Sequence, residues 1–335
     1  MTTQIMYSDE FHKHNNMEHP ENAERLKVMM SELKKSQILK EVEIIEPKIL
    51  SEKILYDVHS EEMIGQIKEI STHGNMWIDL DTYVCKFDYG TARLAAGGVV
   101  QLCENVIQGK AYNGYALVRP PGHHATKNRS MGFCLFNNAA IATNEMAKKD
   151  KKVLIFDPDV HHGNGTQDIF YDRKDVMYQS LHLSPHYPGT GAVREIGIGD
   201  GEGYTINAPL KYGNGDKAAM KILEEIFLPI GRQFNPDIIV MSIGYDSHHL
   251  DPLGGLKFTA NLYGEMIAKY QEIQPKIVCT LEGGYNLNWI GKCLLSQLGQ
   301  MTGKKVEFND PAEENPDVSK LLENLKNELK NYWEI

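Results

Sequence analysis

Apolar residues in this chain gather in short unbroken runs instead of alternating with polar ones. The runs are GYALV (114–118), KVLIF (152–156), VMYQSL (176–181), DIIVMSI (237–243) and KIVCTL (276–281). A strand with no polar face is covered on both sides, as in a parallel sheet. Between most of these runs lie stretches with helical apolar spacing: 91–108, 137–149, 217–234 and 258–273. Strand and helix in alternation predict an α/β fold, a mainly parallel central sheet with helices on both faces. No Pro/Ser-rich linker interrupts it, so one domain over 1–308 is expected. A polar, proline-punctuated linker follows at NDPAEENPD (309–317). Val318, Leu321, Leu322, Leu325, Leu329 and Trp333 then recur at helical spacing. They predict a C-terminal amphipathic helix docked on the same domain, with dimerisation as the alternative.

Composition narrows the class. The chain has 335 residues, 41% hydrophobic and 24% charged, which is ordinary globular usage. Its 35 basic and 45 acidic residues give a formal net charge of −10. That balance argues against direct nucleic-acid binding and suits a cationic substrate or partner. The N-terminal stretch has no apolar leader core, and no run approaches the ~18 apolar residues of a membrane helix. Five scattered cysteines without a CxxC argue against a disulfide framework and against a cysteine zinc site. A cytoplasmic, reduced location away from membranes is the expectation.

Chemistry is expected beyond the carboxyl ends of the strands. GYALV runs into RPPGHHA (119–125), KVLIF into DPDVHHGNGT (157–166), DIIVMSI into GYDSHHLDP (244–252) and KIVCTL into EGGYN (282–286). Three tandem histidine pairs in three such loops are hard to explain as packing. If DPDVHH continues extended, Asp157, Asp159 and His161 share one side, and two carboxylates with an imidazole make a metal site. A catalytic zinc needs a third protein ligand and an open position, and Asp246 is the natural third; its alternative is a plain turn residue. His248 and His249 are expected to be solvated loop side chains, with metal ligation as the alternative. His123 and His124 follow the rigid Pro120-Pro121-Gly122 turn, and a histidine there suits general acid/base work. Tyr285, after two glycines, is placed to donate to an oxyanion. Gly132, Phe133 and Tyr187 are ordinary residues unless a narrow pocket needs walls.

RPPGHHA, GFCLFNN (132–138), DPDVHHGNGT, PGTG (188–191), GYDSHHLDP and LEGGYN together resemble the zinc-dependent histone deacetylase superfamily. That group includes class I and II histone deacetylases, acetoin-utilisation proteins and acetylpolyamine amidohydrolases. The resemblance runs from His19-Pro20-Glu21 to Tyr285-Asn286 in the family's order. It implies the arginase/deacetylase α/β fold and hydrolysis of an acetylated amine. It implies one Zn2+ per chain held by Asp159, His161 and Asp246, with His124 as general base and acid, His123 as its electrostatic partner and Tyr285 polarising the carbonyl. Asp157 matches the family's carboxylate behind His123, and Asn164 the residue behind His124, where class II members carry asparagine and class I members aspartate. A structural K+ is implied at Asp157, Ser180 and Leu181 with the backbone of Asp159 and His161, and Arg25 is implied beside an acetate channel. Gly132, Phe133 and Tyr187 match the pocket walls, with Tyr187 departing from the usual phenylalanine. Asp81 or Thr82 matches the rim that holds substrate backbone. Leu253 stands where polyamine-preferring relatives place an acidic gate, which favours acyl-lysine.

The expected activity is therefore removal of acetyl groups from lysine in peptides or proteins by a class II-like site. An acetylpolyamine or other small acetyl-amine amidohydrolase is the alternative. A non-catalytic acyl-lysine-binding module is a second one, disfavoured because Tyr285 and both histidines are present. A binuclear manganese ureohydrolase is disfavoured by His161.

Overall fold

A computed structural model describes residues 2–335. Among the described residues ten strands form: β1 (Thr3–Met6), β2 (Val42–Ile45), β3 (Met76–Trp77), β4 (Tyr83–Val84), β5 (Asn113–Ala116), β6 (Val153–Asp157), β7 (Val176–Leu183), β8 (Thr205–Leu210), β9 (Ile238–Ile243) and β10 (Ile277–Leu281). Eight of them build one sheet in the order β2-β1-β5-β10-β9-β6-β7-β8. Every pair in it is parallel, whereas β3 and β4 make a separate small hairpin. Each residue of β5, β6, β7, β9 and β10 is buried, the physical reason those runs carry no polar alternation. The architecture is the mostly parallel α/β sheet surrounded by helices that the pattern predicts.

Two departures have local causes. The stretch 217–234 is not one regular helix but Asp216–Ile222, a π-turn at Leu223–Phe227 and Leu228–Phe234. Pro229 has no N–H for an intrahelical bond, and a wider turn before it absorbs that defect. β1 and β8 escape the pattern because four residues are too few to read and Pro209 interrupts the other. Pro209 is tolerated because β8 is an edge strand.

The C-terminal helix is Ser319–Leu329, with Leu322, Leu325 and Leu329 buried. It packs on β8 and the π-turn, and Trp333 Nε1 donates to the Gly203 carbonyl at 2.7 Å. Among the described residues, no helix is long and apolar enough to cross a membrane.

β5, β10, β9 and β6 are neighbours at the centre of the sheet. Their carboxyl ends therefore set the loops 117–125, 282–286, 244–252 and 158–166 side by side along one crevice.

Candidate active site and metal centre

Three donor groups meet at the floor of this crevice. His161 Nδ1 lies 3.1 Å from Asp159 Oδ1 and 3.2 Å from Asp246 Oδ2. One imidazole N–H cannot serve both carboxylates, and Asp246 Oδ2 stays buried without a hydrogen bond. The other oxygens are anchored: Val160 N donates to Asp246 Oδ1 at 3.0 Å, and Gly283 N to Asp159 Oδ2 at 2.9 Å. A Cβ on Gly244 would collide with Asp159 Oδ2, and one on Gly283 with Asp246 Oδ2, so glycine is required at both. Ligands ~2.1 Å from a tetrahedral zinc stand ~3.4 Å apart, close to the spacing seen here. Two buried carboxylates beside a lone imidazole nitrogen, one oxygen unpaired, are the donor set a divalent cation completes.

Asp157 does not join that group. β6 ends at Asp157 and the chain bends at Val160 and His161, so the strand's two-residue alternation is not carried through to the ligands. The Asp157 carboxylate instead accepts from His123 Nδ1 and from the Tyr178 hydroxyl, both at 3.1 Å.

The histidine pair divides into two electrostatic roles. Burial alone would depress His123, but the carboxylates of Asp159 and Asp157 outweigh it and push the group up to about 10. Burial, then the neighbouring His123 and His161, hold His124 well below its ordinary value. The two rings, pushed in opposite directions, lie 4.1 Å apart. His124 Nδ1–H donates to Asn164 Oδ1 at 2.7 Å, leaving Nε2 as the free lone pair. Asn164 is fixed as the first residue of helix Asn164–Phe170, where Gly165 N and Thr166 N both donate to the His123 carbonyl.

A cavity of about 240 Å³ opens above these groups, lined by Asp81, Gly132, Phe133, Tyr187, Leu253 and Tyr285 together with His123, His124 and His161. Tyr187 stands at 84° to the His124 ring at 5.1 Å and Phe133 at 87° to Tyr285 at 6.0 Å, and all four line the cavity. Gly132 has φ +56 and a Cβ there would meet the His124 ring. At the rim Asp81 faces the cavity, whereas Thr82 is buried and its hydroxyl accepts from Phe133 N at 3.1 Å. Arg25 is buried beneath the tyrosine, its guanidinium 5.0 Å from the Tyr285 ring centroid. It donates to the Glu282 and Gly284 carbonyls at 2.6 and 2.7 Å and to Glu21 at 2.9 Å. Asp157 and Ser180 are register partners between β6 and β7, with Leu181 next along β7.

His248 is not solvated and His249 is only partly so. His248 is buried, stacked on Trp289, and its Nε2 donates to Asp310 at 3.0 Å; His249 donates to the same carboxylate at 2.7 Å. Their partner lies 61 and 62 residues onward, in the stretch read as a plain linker. Sequence reasoning also missed His186, which stacks on His161 at 4.8 Å and donates from Nε2 to the Leu253 carbonyl at 3.1 Å. Its signal was its place beside Tyr187. Glu282 was missed too: its carboxylate accepts from Gly122 N, His123 N and Ser242 Oγ, and burial raises it to about 7.

The profile of the histone deacetylase domain matches residues 19–301. An Archaeoglobus fulgidus protein named "Probable deacetylase" is 38% identical over 296 residues, 86% of this chain and 82% of its own length. Histone deacetylase 10, chloroplastic, of Oryza sativa subsp. japonica is 36% identical over 329 residues, covering 89% of this chain and 74% of that protein. The crystal structure of the HDA15 HD domain superposes with a TM-score of 0.93 at 34% identity, over 99% of this chain and 96% of that one. The fold and crevice are thus those of a deacetylase-type α/β hydrolytic enzyme. The chain belongs to the histone deacetylase family, which is zinc-dependent.

Proposed function

We propose that the protein is a lysine deacetylase that binds one Zn2+ at Asp159, His161 and Asp246 and hydrolyses ε-acetyl-lysine in peptides or proteins. The unpaired Asp246 Oδ2 beside His161, facing the same crevice as the free Nε2 of His124, carries this reading. Bound there, the zinc supplies Lewis acidity, which acidifies water and polarises a carbonyl.

The chain's own residues do the rest. Phe133 and Tyr187 sandwich an aliphatic stem and exclude water along it. His124 takes a proton at Nε2 and returns it to the departing amine, and its Asn164 bond keeps the required tautomer. His123, held as a cation by Asp157 and Asp159, keeps His124 neutral at rest and favours negative charge building on the substrate. The Tyr285 hydroxyl donates to the carbonyl oxygen as it becomes an oxyanion. Asp81 holds substrate backbone at the rim, and Leu253, beside it in the cavity lining, adds no second carboxylate there for the far ammonium of a polyamine. A structural K+ at Asp157, Ser180 and Leu181, with the backbone of Asp159 and His161, stiffens the strand ends behind the ligands. Arg25 lines the path by which acetate leaves.

The test is turnover of an acetyl-lysine peptide and an acetylated polyamine side by side on zinc-loaded protein. The reading predicts preference for the peptide and a loss on the order of 10²–10³-fold in Tyr285→Phe. Preference for the polyamine overturns the substrate assignment, and an unaffected mutant overturns the role of Tyr285.

A further inference from the structure

We propose that Asp251 is a positioning residue that locks the loop carrying Tyr285 to the loop carrying Leu253, so that one carboxylate sets both the oxyanion donor and the pocket mouth. The proposal rests on the role given to Tyr285 above.

Both Asp251 oxygens are committed, each to a different loop. Oδ2 accepts from the backbone N–H of Tyr285 at 2.6 Å and of Asn286 at 3.0 Å. Oδ1 accepts from Leu253 N at 3.0 Å. A second tie runs parallel, from Asn286 Nδ2 to the Leu250 carbonyl at 2.7 Å. The Tyr285 loop needs such an anchor. Gly284 has φ +114 and lies against Tyr245, so no side chain of its own can pin the turn. Arg25 grips the loop by its carbonyls on the near side, and Asp251 grips the N–H groups on the far side. Phe133, 6.0 Å away at 87°, and the Arg25 guanidinium, 5.0 Å from the centroid, flank the phenol ring, while the backbone that Asp251 grips sets the point from which the side chain starts.

The chemistry requires a carboxylate and not an amide. Three N–H donors converge on the two oxygens, and an asparagine offers one acceptor and one donor group. Whichever way the amide of Asp251→Asn turned, its NH2 would face N–H groups, and one loop would be released. A displacement of about 1 Å at a reacting group costs on the order of 100-fold in rate.

The experiment is a double-mutant cycle on zinc-loaded protein with an acetyl-lysine peptide, using Asp251→Asn, Tyr285→Phe and the pair. Metal content and melting temperature are measured for each. The expected result is a kcat lower by on the order of 10- to 100-fold in Asp251→Asn. In the Tyr285→Phe background the same change should cost less than about threefold, because the two residues act as a unit. Asn286→Ala, which removes the parallel tie together with the acceptor for Asn288 N, should show the same non-additivity in milder form and serves if Asp251→Asn does not fold. Losses that multiply in full in the double mutant, with zinc retained, overturn the proposal while leaving the role of Tyr285 intact. An unaffected Tyr285→Phe overturns both.

Discussion

Replacing Asn164 by aspartate changes one atom type and tests the account of the general base. Asn164 Oδ1 is a neutral acceptor 2.7 Å from His124 Nδ1. A neutral hydrogen bond of this kind contributes about 0.5–1.5 kcal/mol, and one to a charged partner about 1.5–3 kcal/mol. The carboxylate therefore favours protonated His124 by about 1–1.5 kcal/mol more than the amide does. At about 1.36 kcal/mol per pH unit, that raises the His124 pKa by about one unit. The active form of a general base is the unprotonated one, so the acidic limb of kcat/KM should move to higher pH by about one unit. Below the limb the mutant should be about tenfold slower, and on the plateau nearly equal to the parent. The assay is a pH–rate profile of kcat/KM on one acetyl-lysine peptide, with zinc content checked for both proteins. A limb that stays in place, or moves to lower pH, would refute the assignment of His124 and its tautomer.

Two further outcomes follow from charges elsewhere in the structure. Leu253→Glu puts a carboxylate at the mouth of the cavity that Leu253 lines; at about 6 Å and an effective dielectric of about 20–40, this is about 1–3 kcal/mol for a substrate cation. The ratio of kcat/KM for an acetylated polyamine over a peptide should rise about tenfold or more, and an unchanged ratio would sink the gate argument. His14 is buried between Asp88, at 2.5 Å, and Glu21, at 3.4 Å. Burial alone would lower it, but the Asp88 carboxylate and its hydrogen bonds hold it well above its ordinary value. A raised folded pKa means its stabilisation is complete below about 6.5 and fades as pH rises through the folded value. Thermal melts should therefore show a larger penalty for His14→Gln at about pH 6 than at about pH 9; the reverse order would contradict the charged assignment.

How much of this was legible in the sequence depends on where information resides along the chain. The central strands are readable because burial on both faces forces continuous apolar runs such as DIIVMSI, and their end loops carry the reacting residues within a few positions. Asp159, His161 and Asp246 come from two neighbouring strands, and the strand order brings them together. What stayed hidden depends on contacts between distant residues. Nothing local marks Asp310 as the partner of His248 and His249, so a solvated pair was the natural expectation. Two-residue spacing groups Asp157 with the metal ligands only if the strand continues past Pro158, and it does not. Buried ion pairs such as Arg119 on both oxygens of Glu21 link residues 98 apart, and neither partner lies in a run that shows periodicity.

The central claim is that one metal ion at Asp159, His161 and Asp246 carries deacetylation. Its most direct test is acetate release from an acetyl-lysine peptide while chelator-stripped protein is titrated with zinc. The account predicts activity that climbs to one equivalent per chain and stops, with a parallel rise in melting temperature. Asp246→Ala should show neither. Activity that needs two equivalents, or that survives in Asp246→Ala, would contradict it.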